Sequence, residues 1–165
     1  MQETLLPDVS GYDRSAALAY AKKWAFKRNP AYYNFDALGG DCTNFASQCL
    51  FAGCGVMNFS PVVGWYYKNL NDRSASWTGV RFFYSFVMSN KGAGPYGSKS
   101  RESEILPADF IQLSRNGVFT HTLIVTDLLD DDFLIACHTI DSYNRPLSSY
   151  RYDGARFIHI EGARR

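Results

Sequence analysis

The hydrophobic period changes once along the chain, and that change constrains the fold class more than any other feature. Up to about residue 89 the apolar residues recur at helical spacing, whereas from Asp109 onward they come in short runs of Ile, Val, Leu and Phe. Asp13 reads as the N-cap of a first helix from Arg14 to about Lys27, carrying Ala17, Leu18, Ala21, Trp24 and Ala25, and Asn29-Pro30 stops it. Residues 30–40 form a loop rich in Tyr and Asn that ends in Gly39-Gly40. A second helix begins near Asp41 or Cys42 and runs to about Ala52, with Phe45, Cys49 and Ala52 on one face and Gly53 and Gly55 closing it. Residues 53–76 read as irregular. A third helix covers Gly79 to Ser89 with Phe82, Phe83 and Phe86 inward, and the Gly-, Ser- and Lys-rich residues 90–104 read as a mobile loop.

Four strand segments follow: Asp109 to Leu113, Val118 to Leu128, Phe133 to His138 and Arg156 to Ile160. Arg115-Asn116-Gly117, Asp130-Asp131-Asp132 and Asp153-Gly154 mark the turns. Helices first and an antiparallel meander second make an α+β domain, with N-terminal helices packed on a C-terminal antiparallel β-sheet. At 165 residues, a single domain over 1–165 is expected, with 1–12 as a flexible lead.

Composition narrows the function. The formal charge is +1, so the chain carries no electrostatic footprint for nucleic acid. No apolar run approaches the ~18 residues of a membrane span. Met1 to Ser10 show no signal peptide, so the expectation is a cytoplasmic protein or a piece trimmed from a secreted bacterial one. Cys42, Cys49, Cys54 and Cys137 contain no Cys-x-x-Cys pair and no zinc-ligand spacing; reduced thiols are expected, with no metal and no cofactor.

The sharpest local feature is Gly39-Gly40-Asp41-Cys42-Thr43-Asn44-Phe45-Ala46-Ser47-Gln48. The glycines allow a sharp turn, and a cysteine then falls in the first turn of an apolar helix. Unpaired N–H groups and the positive dipole end at such a place favour a thiolate and can hold a developing oxyanion. A buried cysteine that happens to start a helix is the alternative; Cys49 and Cys54 fit that description better. A nucleophilic cysteine needs a base, and the three histidines all lie in the strand-rich half. His121 opens an apolar strand and His138 ends the next. If the hairpin closes through Leu129 to Asp132, the two imidazoles share a sheet face as diagonal neighbours, roughly 5–8 Å apart. A slip of one residue would place them on opposite faces. Asp141 is the rival orienting group, and His159 reads as structural. Trp65 and Trp77 either line a groove for a peptide or glycan or belong to the core.

Residues Gly40 to Gln48 resemble the signature of the bacterial putative amidase domain family, related to the NlpC/P60 cysteine peptidases of the papain-like superfamily. Tyr20, Trp24 and Ala25 are similar to that family's opening, and Asp109 to Leu113 to the strand before its histidine. His121 to Thr126 resembles the histidine strand. Cys137 to Asp141 with Arg145-Pro146-Leu147 resembles the closing motif, so the likeness spans about residues 13–150. The resemblance implies a papain-like (NlpC/P60-like) fold and a cysteine amidase or peptidase acting on a peptide or peptidoglycan-like amide of the cell wall. Carried over, Cys42 is the nucleophile, His121 the general base, and His138 or Asp141 the third member. Tyr33, Asn34 and Asp36 occupy the stretch where many papain-like enzymes carry a polar oxyanion donor; an anionic Asp36 would be a poor one, so the backbone N–H of Cys42 is the expected donor. Asp41, Asn44, Tyr33, Trp65 and Trp77 are the candidate substrate-binding residues. A transglutaminase-like acyltransferase and a non-catalytic wall- or glycan-binding module are the alternatives on the same scaffold.

Overall fold

The computed structural model describes residues 10–165. Its elements in chain order are α1 (Arg14–Trp24), α2 (Cys42–Cys54), β1 (Tyr67–Asn69), β2 (Asp72–Arg73), α3 (Ala75–Thr78), α4 (Val80–Ser89), β3 (Gly94–Ser100), β4 (Phe110–Arg115), β5 (Val118–Leu128), β6 (Phe133–Cys137), β7 (Ser142–Pro146) and β8 (Gly154–Arg164). The α+β character holds. Asp13 caps α1 as expected, its carboxylate accepting from Ala16 N at 3.0 Å. The helix ends three residues earlier than its apolar pattern predicts. The Trp24 carbonyl accepts from Lys27 N at 3.2 Å and from the His138 ring at 2.7 Å, which tightens and terminates the last turn.

β3 to β8 form one antiparallel sheet in the order β3-β8-β4-β5-β6-β7. It is not the simple meander that the turn signals predict, because the last strand inserts between β3 and β4. β3 itself corrects a second expectation: residues 94–100 are an edge strand paired with β8, not a mobile loop. Its glycines fit that role, since a Cβ on Gly97 would collide with the carbonyl of His159 on the neighbouring strand. The expectation of a flexible lead over 1–12 does not hold for its last residues. Residues 1–9 lie outside the described residues, but Ser10 O accepts from Ala163 N at 2.8 Å and Tyr12 donates to Ala108 O at 2.7 Å.

Alternation along the strands builds a core on each sheet face. Phe110, Ile124, Ala136 and Ile158 face the helices; Ile111, Leu113, Leu123, Val125, Ile135 and Cys137 face away, beneath Ile105 and Leu147. α2 is the central helix and is buried on nearly every side rather than on one face. Trp65 and Trp77 cover it, with ring centroids 4.6 Å apart, and Phe83 and Phe86 of α4 complete that layer. Phe82, expected inward with them, is exposed.

Candidate active site

Gly39 and Gly40 take φ values of 87° and 102°, the left-handed region that favours glycine, and deliver the chain to Asp41 and the start of α2. The polar side chains of that first turn are all buried, and each has a protein partner. Thr43 shares a 2.9 Å hydrogen bond with Thr122 on β5, and Gln112 Nε2 donates to the same Thr122 hydroxyl at 3.1 Å. Asn44 Oδ1 accepts the Trp77 indole N–H at 3.0 Å, and Ser47 Oγ accepts the Trp65 indole N–H at 3.1 Å. Gln48 bonds the Tyr20 hydroxyl. A helix sunk among indoles and a sheet needs polar residues where those groups demand partners.

Asp41 is the hub of the turn. Its Oδ1 accepts from Phe35 N at 2.8 Å and Asn44 Nδ2 at 2.9 Å. Its Oδ2 meets His138 Nδ1 at 2.6 Å and lies 3.4 Å from Arg28 Nε. Arg28 also grips Asp141 through two bonds of 2.8 and 2.9 Å and Asp36 at 2.9 Å. One guanidinium thus ties the end of α1, the pre-helix loop and the loop after β6 to the turn that presents Cys42. Arg28 carries no sequence signal; it sits just past a helix end, far in sequence from both Asp41 and Asp141.

His138 is clamped from both ends. The Trp24 carbonyl only accepts, so Nε2 carries a hydrogen toward it, and a proton lies between Nδ1 and the Asp41 carboxylate. The ring stacks on Phe45 at 3.9 Å. Neither nitrogen is left to take a proton from a thiol. The expected face-sharing with His121 is also lost. Leu128 pairs with Phe133 as the hairpin predicts, but a register shift between Val125 and Asp127 makes Ile124 the partner of Ala136. That one-residue bulge inverts the facing of everything beyond it. Asp141, the rival orienting group, is held by Arg28 instead.

Cys42 is 6% exposed. Its Sγ lies 3.8 Å from Thr43 Oγ1 and 3.9 Å from the Thr120 carbonyl. Thr120 occupies a second bulge, where Leu113 pairs with His121 but Ser114 pairs with Phe119. The ladder to β6 begins only at Ile124, so the helix tip lies against the first half of β5, which is paired with β4 but not with β6. His121 follows Thr120 directly. Its register with Leu113 sets its side chain on the sheet face away from the helices, with its ring 6.5 Å from that of Tyr150. The sulfur lies against the carbonyl of Thr120, the residue before His121, and no hydrogen bond joins sulfur and imidazole among the described residues. His121 Nδ1 is buried without a partner there. Burial, and then the charge of Arg115, lower its pKa below the usual histidine value, which favours the uncharged ring. Burial pushes the other three thiols up, Cys54 to about 11.

His121 opens onto a cleft of about 330 Å³. A larger cavity of about 630 Å³ lies at the far end of β5, between Glu102 and the Asp130–Asp132 turn, and its lining holds no cysteine or histidine. Of the expected substrate-binding residues, only Tyr33 is exposed; Asp41, Asn44, Trp65 and Trp77 are buried and committed to the interior, so the aromatic groove does not form. Among the described residues no three His, Cys, Asp or Glu side chains gather as a metal set, and no helix is long and apolar enough to cross a membrane.

The sequence profile of the putative amidase domain matches residues 11–161. The chain belongs to that family. Over 119 residues it is 41% identical to the uncharacterized protein YhbB of Bacillus subtilis (strain 168), covering 69% of this chain and 37% of the relative. Over 147 residues it is 27% identical to the uncharacterized protein YjcM of the same organism, covering 84% of this chain and 33% of the relative. The chain thus spans about a third of the length of these relatives. No solved structure matches it.

Proposed function

We propose that the protein is a cysteine-dependent amidase with Cys42 as nucleophile and His121 as general base. The observation that carries this reading lies at the β5 bulge: the helix-tip sulfur sits 3.9 Å from the Thr120 carbonyl, and the next residue, His121, holds a buried Nδ1 without a partner among the described residues. His121 accepts the thiol proton as the two side chains close to about 3–4 Å around the strand end, a tightening common on substrate binding. The thiolate forms a C–S bond to the amide carbonyl, and the first-turn N–H groups of α2, that of Cys42 foremost, face the resulting oxyanion. The imidazolium returns its proton to the leaving nitrogen as the C–N bond breaks. Water, deprotonated by His121, then cleaves the thioester and releases the acid.

In this mechanism Asp41, His138 and Arg28 position the Cys42 turn rather than relay protons to His121. A nucleophile at a helix tip against an antiparallel sheet also supports the papain-like reading and kinship with the NlpC/P60 peptidases, with wall peptides as the first substrates to try. The test is hydrolysis of a panel of peptide amides by the wild type and Cys42→Ala, with circular dichroism reporting the fold. Hydrolysis is expected to vanish in a folded Cys42→Ala variant. Retained turnover of any amide would refute the assignment.

A further inference from the structure

The cleft over His121 is rimmed by Arg115, Arg145 and Arg151, with Ser149 and Tyr150 between them and Thr139-Ile140 opposite. Three guanidinium groups on one small cleft are unexpected in a chain of net charge +1. None of the three is in an ion pair among the described residues. The nearby Asp153 accepts from Ser114 Oγ at 2.7 Å and from the Asn116 N–H, and its charge attracts Arg115 without forming an ion pair with it. Arg145 is held ready: Nε donates to Ser149 Oγ at 2.7 Å, Nη2 to Ser149 O at 3.3 Å, and its guanidinium stacks 3.7 Å over the Tyr150 ring. That leaves Nη1 without an acceptor among the described residues. Arg115 Nη1 donates to the Arg151 carbonyl at 3.3 Å. Opposite them Ile140 is 81% exposed with φ of 52°, a strained conformation for a β-branched residue and one often kept at binding sites.

We propose that this rim binds an anionic group, a carboxylate or a phosphate, carried by the substrate next to the amide that Cys42 and His121 cleave. A guanidinium fork matches either oxyanion, and a cleft of one sign concentrates such a ligand. The proposal rests on the cysteine-amidase reading and adds its substrate class. It also completes the proton account. An anion seated beside Arg115 offsets the charge that disfavours the His121 imidazolium, so substrate binding itself favours the ion that must protonate the leaving nitrogen.

The test compares alkylation of Cys42 by anionic iodoacetate and neutral iodoacetamide, resolved by peptide mass spectrometry and normalised to the same pair of rates for N-acetylcysteine. The normalised ratio is expected to exceed unity by about tenfold at low salt, and to collapse in about 0.5 M salt, where screening shortens to a few ångström. It should fall severalfold in Arg145→Gln and in Arg115→Gln, two variants so that misfolding of one leaves the other. Succinate protecting Cys42 from iodoacetamide supports a carboxylate, and inorganic phosphate protecting it supports a phosphate. A reactive Cys42 with a ratio of one, with no change in the folded variants or with protection by neither anion, overturns the anion site and leaves the nucleophile standing. A Cys42 as inert to iodoacetamide as Cys49 overturns the nucleophile, and the anion site with it.

Discussion

Asp41→Ala removes one carboxylate from three hydrogen-bonding partners, Phe35 N, Asn44 Nδ2 and His138 Nδ1, and from its ion pair with Arg28. Asp41 is fully buried, as is the His138 side chain, so no water replaces the lost oxygen without rearrangement. Removing one partner of such a buried pair costs about 3–5 kcal/mol. For a chain of this size each kcal/mol lowers the melting temperature by about 2–4 °C, which gives a fall of roughly 6–20 °C. Asp141→Ala is the control. It also removes a partner of Arg28, but a partly exposed one, and such a surface pair contributes about 0–1 kcal/mol. Urea unfolding at pH 7, followed by tryptophan fluorescence, measures both. The double variant Asp41→Ala with His138→Phe should lose less than the sum of its parts, since both changes break one interaction. A loss under about 1 kcal/mol for Asp41→Ala, or one no larger than for Asp141→Ala, would refute the hub and with it the account of how the Cys42 turn is held.

Two further outcomes test the frame around the site. His159 Nδ1 lies 2.8 Å from the buried Asp109, and that bond holds its pKa above the usual histidine value. Its contribution to stability is therefore complete below about pH 6.5 and is lost as pH rises through the folded value, so the urea midpoint should fall with rising pH more in the wild type than in His159→Gln; equal slopes would count against the pair. Gly53→Ala puts a Cβ 2.8 Å from the Asp13 carbonyl where α1 docks on the end of α2, and should cost about 1–3 kcal/mol by thermal melting; an unchanged melting temperature would contradict that packing.

The helical half was legible where local signals were strong. Two glycines before an apolar run placed the start of α2, and Asp13 placed that of α1. The β5–β6 turn was legible too, because Leu129 to Asp132 is turn chemistry. What local pattern could not carry was the extra residue between Val125 and Asp127, since a bulge depends on how neighbouring strands pack; it separated His138 from His121. Gly94 to Ser100 read as loop because an edge strand against β8 tolerates the Gly, Ser and Lys that weaken an interior one. The cysteine block named the helix correctly, but its Asn44, Ser47 and Gln48 hold indoles and a tyrosine, not a ligand. Buried polar side chains and binding side chains look alike in one sequence.

The position of β8 has a consequence for how the molecule comes together. Residues 94–100 and 110–115 both wait for residues 154–164 before their shared border is closed. Emerging from the ribosome, α2 and its sulfur precede the strands they lean on, and the sheet stays split until residues 154–164 are made. Assembly so dependent on distant partners is slow and leaves open strand edges meanwhile. The border strand that joins the two parts of the sheet is thus the last of its strands to be made, and the surface that α2 leans on is complete only after it.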